Sequence, residues 1–297
     1  MLGPHVVGQR VVVRRLVPGE TGPTGGPAFT DLLGTCLSWD DEVCVVQPED
    51  GPAVPIPVEL IVSGKPVPPR PSVRGRVSAR DLELRTAGLW ERVLTVPLGE
   101  WVLRNDPAPV GRPRRRATSC LAMGDPGMPL TEALAQVTDF YDGIGRPACL
   151  QVEADGDVEA GVRELGWQED PTGEAELRIA SVARVRRRLA AAPAPVELTV
   201  SGDRAVASIG TGCDPIAEGE AYIDGDWLGV HSLTVDPGHR RRGHATALMA
   251  ELLEWGAERG ALTAWLHVET SNTAARALYD GLGFDVHHVC RYFTPAG

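Results

Sequence analysis

Two stretches of this 297-residue chain spell the same succession of elements, and that repetition limits the folds open to it more than any other feature. In the first stretch "ATSCLAM" reads as a strand and "PLTEALAQVTDFYDGIG" as a helix, with apolar positions at Leu130, Leu134, Val137 and Tyr141 and with Thr131 as its expected cap. A strand ("ACLQVE"), a short helix ("DVEAGVRELGW") and a further strand ("ELRIAS") follow. Near the C-terminus "VHSLTV", "GHATALMAELLEWGAERG", "LTAWLHVE", "NTAARALYDGLGF" and "VHHVCRYF" give strand, helix, strand, helix, strand again. Cys149-Leu-Gln-Val-Glu153 stands where Trp265-Leu-His-Val-Glu269 stands, and Glu164-Leu-Gly-Trp167 where Gly281-Leu-Gly-Phe284 stands. One α/β unit is duplicated.

The copies differ at one turn. Between the first strand and the first helix the N-terminal copy has "GDPGMPLT" and the C-terminal copy "GHRRRGHA". In a chain of formal net charge −11, three consecutive arginines are a local exception. The helix after Gly243 has one apolar face, Ala245, Leu248, Met249, Leu252 and Leu253, so its first turn presents unclaimed N–H groups and a positive dipole end. Gly243 permits a sharp turn and Ala245 keeps the approach open. With the arginine charge this makes a receptacle for phosphate or pyrophosphate. Neither the G-x-x-x-x-G-K-S/T loop nor the G-x-G-x-x-G turn is present. Taken alone, the run is equally compatible with a solvated arginine stretch at an ordinary helix start.

Ahead of the repeat, residues 6–64 read as short strands separated by turns, with "PGETGPTGGPAF" as a loop and "DLLGTCLSW", "EVCVVQPEDG" and "AVPIPVELIV" at close spacing. The proline-rich "GKPVPPRPSVRG" suits neither helix nor sheet and marks a boundary. The expected organisation is a small β-barrel over residues 1–64, a linker over 65–83, a degenerate half over 84–190 and an intact half over 191–297. The class is α/β (α+β) with a mixed central sheet. Acidic balance argues against charge-driven nucleic-acid binding. No apolar run reaches membrane-spanning length and the N-terminus lacks the form of a signal peptide, so a cytoplasmic protein without membrane contact is expected. Cys36, Cys44, Cys120, Cys149, Cys213 and Cys290 form no C-x-x-C pair, so reduced thiols and no metal are expected. His287 and His288 lack a third ligand at metal spacing. Arg112, Arg114, Arg115 and Arg116 read as a solvated turn, with contact to an acidic substrate as the alternative.

Arg240-Arg241-Arg242-Gly243-His244-Ala245 resembles the R/Q-x-x-G-x-G/A signature of the GNAT superfamily of acyl-CoA-dependent N-acyltransferases, and Leu233-Thr-Val235-Asp-Pro237 resembles the strand that precedes it there. Asn272-Thr-Ala-Ala275-Arg-Ala-Leu278-Tyr279, with Gly283-Phe284, resembles a second family segment, N-x-x-A-x-x-L-Y followed by G-F. The resemblance covers roughly residues 196–297. It implies acetyl-CoA as co-substrate, with the pyrophosphate held by backbone amides of Arg241 to Ala245 and with Leu233, Val235, Arg240, Thr246, Asn272 and Ala275 around the coenzyme. Val235 would pair with the pantetheine arm. The whole chain is also similar in architecture to GNAT proteins with a Tudor-like barrel and two GNAT-like halves, a group that includes enzymes assigned as N-acetylglutamate synthases. Phe29 and Trp39 are the only aromatics of the barrel, too few for a methyl-lysine cage, so packing or a homodimer contact is its expected role.

Asn272 and Tyr279 lie seven apart on the last helix, hence on one face about 10 Å apart along the axis. Tyr279 is the candidate acid for the departing thiolate. A protonated amine needs a base. The strand "WLGVHSLTV" lacks the glutamate that many family members carry, which leaves His231 and Glu269 as candidates. A backbone N–H near Val235 would meet the oxyanion where the strands splay. The expected activity is acetylation of a small-molecule primary amine, a free amino acid such as glutamate first. A mycothiol-synthase-like enzyme and a non-catalytic acyl-CoA sensor are the alternatives.

Overall fold

The computed structural model describes residues 2–22, 25–48, 51–67, 73–90, 92–108, 115–189, 195–210 and 215–296, and the chain divides into two units, Met1–Ser72 and Val73–Gly297. Arg112, Arg114 and Cys213 lie outside the described residues.

In the first unit strands β1 (Arg10–Thr21), β2 (Pro27–Trp39), β3 (Val43–Pro48), β4 (Val54–Pro57) and β5 (Ile61–Pro66) form an antiparallel sheet in the order β4-β3-β2-β1-β5. Period-two alternation sends Val11, Val13, Cys36, Cys44, Val46 and Ile56 to one buried face. Much of the Gly/Pro stretch expected as a loop is strand, since β1 runs to Thr21 and pairs it with Pro27 across a register shift. The left-handed Gly19 (φ 83°) lies within that irregular arm. "AVPIPVELIV" breaks into β4 and β5 at a 3-10 turn, Val58–Leu60, directly after Pro57. Trp39 packs on the core, while Phe29 is half exposed.

The second unit opens on a 3-10 turn, Val73–Arg76, followed by α1 (Ala79–Leu84), capped by the Ser78 hydroxyl, which accepts from the Asp81 amide. The N-terminal copy follows: β6 (Leu94–Leu98), β7 (Trp101–Asn105), β8 (Cys120–Leu121), α2 (Leu130–Gly143), β9 (Leu150–Glu153), α3 (Asp157–Glu164) and β10 (Gln168–Ser181). After α4 (Val182–Arg188) comes the C-terminal copy. It comprises β11 (Glu197–Ser201), β12 (Arg204–Ile209), β13 (Ala217–Asp224), β14 (Trp227–Val235), α5 (His244–Glu258), β15 (Thr263–Glu269), α6 (Thr273–Leu282) and β16 (Asp285–Thr294).

All eleven strands join one sheet, in the order β11-β12-β13-β14-β15-β10-β16-β9-β8-β7-β6. Within it β14–β15 and β8–β9 are parallel and the other pairs antiparallel, the mixed sheet expected. The last strand of each copy is exchanged. β10 bonds β15 along Ala175–Ser181, β16 bonds β9 along Cys290–Phe293, and β10 and β16 pair with each other in the middle. The boundary expected at residue 190 therefore separates chain segments that share a sheet.

Helix α2 buries Ala133, Leu134, Val137 and Tyr141. It starts at Leu130 on Pro129, so Thr131 sits inside the first turn and does not cap it. Helix α5 buries Ala247, Leu248, Met249, Leu252 and Leu253, with Ala247 in the place expected for Ala245. No helix among the described residues is long and apolar enough to cross a membrane. The five described cysteines are free.

Candidate active site

Strand β14 runs beside β15 only from Trp227 to Gly229, opposite Thr263 to Trp265. Beyond that point the two strands no longer pair with each other, while β14 stays on β13 and β15 on β10. A register shift against β13 between Glu218 and Glu220, with Ser232 at φ 53°, marks where β14 changes course. The splay leaves one edge of residues 230–235 without a strand partner, the opening in which an oxyanion donor was expected.

A cavity of about 760 Å³ lies here, with His231, Ser232 and Thr234 from β14, His267 and Glu269 from β15, and Arg115 and Arg116 on its wall. The structure therefore brings together both expected base candidates, His231 and Glu269. His231 Nδ1 lies 3.0 Å from the Ser232 hydroxyl, and its Nε2 is 3.8 Å from Glu220. The arginine turn is only partly solvated. Arg115 pairs with Asp170 at 2.7 Å, bonds Thr172 and lies over the Tyr292 ring, while its second guanidinium nitrogen and Nε of Arg116 are buried without a partner.

At the end of β14, Asp236 accepts from the Gly238 amide at 2.8 Å and lies 3.1 Å from His239 Nδ1; the His239 contact, then the Gly238 amide, holds its carboxyl below the usual range. Arg240 Nε donates to the Val235 carbonyl at 3.2 Å, closing the turn. Arg241 (φ 62°) and Gly243 (φ 83°) are both left-handed, and Gly243 is the N-cap of α5 with no side chain capping the helix. Helix geometry leaves the amides of His244, Ala245 and Thr246 without intrahelical acceptors. Arg241 and Arg242 are exposed, and the buried Nδ1 of His244 has no partner. Leu233 and Val235 are partly buried against the core, so the main chain is what they offer a ligand. Unclaimed amides, left-handed backbone and exposed guanidiniums suit the pyrophosphate of a coenzyme.

On α6 the Asn272 side chain caps the helix, accepting from the Ala275 amide at 3.1 Å. Tyr279 is 6% exposed and stacks edge-on against Phe284. Burial pushes its phenol up to about 12, so it stays protonated. It lies outside the lining of the cavity that holds His231 and Glu269. Beneath α6, buried Arg178 on β10 bonds Glu176 at 2.6 Å and Asp280 at 2.5 Å, and Arg276 reaches Glu176 at 2.8 Å.

Sequence reading missed a buried polar group behind the cavity. Glu83, on α1 and fully buried, has one carboxylate oxygen 2.6 Å from His267 Nε2, 3.2 Å from His288 Nε2 and 3.4 Å from Cys290 Sγ. Potential donor atoms of Glu83, His288 and Cys290 lie within 4.8 Å of one another, brought together from α1 and β16. The i, i+2 spacing of His288 and Cys290 was the available signal, because it puts both on one face of a strand. Nothing nearby in sequence points to Glu83.

Over residues 182–293 the chain matches the family described as "Probable histone acetyltransferase Rv0428c C-terminal". It is 41% identical over 66 residues to the [ribosomal protein bS18]-alanine N-acetyltransferase of Escherichia coli K12, covering 22% of this chain and 45% of that one. It is 41% identical over 69 residues to the N-alpha-acetyltransferase RimI of Mycobacterium tuberculosis, covering 23% and 42%. The chain spans less than half the length of these curated relatives. Among solved structures it is similar to a GCN5-related N-acetyltransferase from Kribbella flavida, with a TM-score of 0.58 at 16% identity over 75% of this chain and 97% of that one. A functionally unknown conserved protein from Staphylococcus epidermidis gives 0.51 at 10% identity, over 74% and 98%. At these identities the fold is what is shared.

Proposed function

We propose, from a C-terminal region that belongs to the GNAT N-acetyltransferases, that the chain transfers the acetyl group of acetyl-CoA to a primary amine. The observation that carries the reading is the turn at Arg240–Ala245: left-handed at Arg241 and Gly243, uncapped by any side chain, and following the stretch of β14 that has parted from β15. Its amides hold the pyrophosphate, and Arg241 and Arg242 add charge. The coenzyme supplies the activated thioester. His231, on the cavity wall, takes the proton of the acceptor ammonium, with Glu269 across the same cavity as the second candidate. Tyr279, kept protonated by burial, gives its proton to the leaving thiolate.

The acceptor in this reading is a small amine with an acidic group, glutamate first. The support is Arg115 and Arg116, two cationic residues on the lining of a cavity an amino acid can enter. A second reading, a peptide or protein α-amine, draws on the relatives named for acetylating a ribosomal protein.

The experiment is thiol release from acetyl-CoA with a panel of glutamate, other amino acids, cysteinyl conjugates and short peptides. Release with at least one amine is expected; coenzyme binding without release across the panel would leave an acyl-CoA sensor. Arg241→Glu with Arg242→Glu should weaken acetyl-CoA binding about 10-fold or more, since charged contacts to phosphate contribute about 1.5–3 kcal/mol each before exposure reduces them. Unchanged affinity at low salt would remove the turn from the site. Tyr279→Phe should lower kcat about 100-fold with acetyl-CoA affinity intact. A fully active variant would mean that solvent or another group delivers the proton.

A further inference from the structure

The buried group behind the cavity draws one carboxylate, one thiol and the rings of His267, His287 and His288 into a single chain of contacts. His287 Nε2 lies 2.9 Å from the carbonyl of Val77, and a carbonyl can only accept, so with both rings neutral the proton of His287 is on Nε2. Its Nδ1 must then accept from Nδ1 of His288, 2.8 Å away. These tautomers are assigned from the hydrogen bonds. With both rings neutral, Nε2 of His288 is a lone pair facing a Glu83 carboxylate oxygen at 3.2 Å; the place between the two takes a cation, either a proton, which makes an ion pair, or a metal ion. Cys290 Sγ, as a thiol, donates to the same oxygen at 3.4 Å and receives the amide N–H of Gln151 at 3.1 Å. The second oxygen of Glu83 is buried with no partner.

We propose that Glu83, His288 and Cys290 bind a divalent transition-metal ion, zinc by preference, that fastens α1 to β16. One carboxylate, one imidazole nitrogen and one thiolate form a donor set that zinc takes readily. With metal–ligand arms of about 2.0–2.3 Å in tetrahedral geometry, neighbouring donors stand about 3.3–3.7 Å apart. The separations of 3.2 and 3.4 Å from Glu83 are close to that spacing already. Carboxylate and thiolate together carry two negative charges, which a divalent ion neutralises in a place where Glu83, His288 and Cys290 are 0%, 6% and 1% exposed. Each donor is also held by a neighbour: the same Glu83 oxygen contacts His267 at 2.6 Å, His288 is bonded by His287, and Cys290 by Gln151, itself held by Arg104 at 2.6 Å. Binding transfers no electrons. The thiol of Cys290 loses its proton to solvent as the sulfur–metal bond forms, and a proton on His288, if one is present, leaves with it.

The site stands independently of the proposed acetyl transfer. The test uses the full chain, stripped with a chelator and titrated with Zn²⁺ against a chromophoric chelator. Uptake of one ion per chain is expected, with proton release and a higher melting temperature. Loading unmodified protein with Co²⁺ should give thiolate-to-cobalt charge-transfer absorption, which reports Cys290 without any variant that risks misfolding. Cys290→Ser should abolish that absorption. His287→Ala, at a residue that touches no metal, should weaken zinc binding about 10- to 100-fold. No zinc uptake by the stripped chain would overturn the proposal, as would uptake without thiolate absorption or uptake that Cys290→Ser leaves unchanged.

Discussion

Arg241 is the residue at which local cost and use are most plainly opposed. A left-handed backbone at a residue with a Cβ costs about 1–3 kcal/mol, and here that residue lies in the turn whose amides face the helix mouth. Arg241→Gly should therefore raise stability by about 1 kcal/mol or less, because glycine's larger entropy loss offsets part of the relief, while acetyl-CoA binding weakens. Melting temperature and coenzyme affinity measured on one preparation check this. A lower melting temperature would show that the left-handed backbone is not a source of strain. The residue pattern of this turn was legible because all its parts are adjacent in sequence. Glu83 was not, since its partners His267, His288 and Cys290 come from two distant strands.

Among the elements, α6 carries both Asn272 and Tyr279, and a buried ion pair sets its position. Arg178 on β10 is 2% exposed and holds Glu176 beside it and Asp280 on the helix. Arg178→Met should destabilise the fold by about 3–5 kcal/mol, because Glu176 loses a buried counter-charge. Arg178→Met with Glu176→Leu should recover much of that loss; chemical denaturation of both variants checks it, and equal losses would refute the pairing argument. The helices of both copies could be read because apolar residues recur at helical spacing, as at Leu248, Met249 and Leu252. Strands β11 to β13 were not read, although Gly202-Asp203 between two alternating runs is a hairpin signal. Arg178 looked ordinary in "ELRIAS", for nothing local pairs with it.

For the molecule as a whole, the duplication was legible and the exchange of final strands was not. Matching strings give the order of strands along the chain, whereas neighbours in a sheet are decided by pairings far apart in sequence. Because β10 lies between β15 and β16, residues 191–297 expressed alone would leave a gap in the sheet beside β15. That fragment should fail to fold, and co-expression with residues 73–190 should recover structure. Circular dichroism and proton–nitrogen correlation spectra check both outcomes; a well-dispersed spectrum from the fragment alone would count against the exchange. The N-terminal copy has no counterpart of the basic turn that precedes α5. Its final strand is nevertheless the one against which β15 of the other copy is laid. A substitution in β10 would therefore be felt at β15, so neither copy can be altered as though the other were absent.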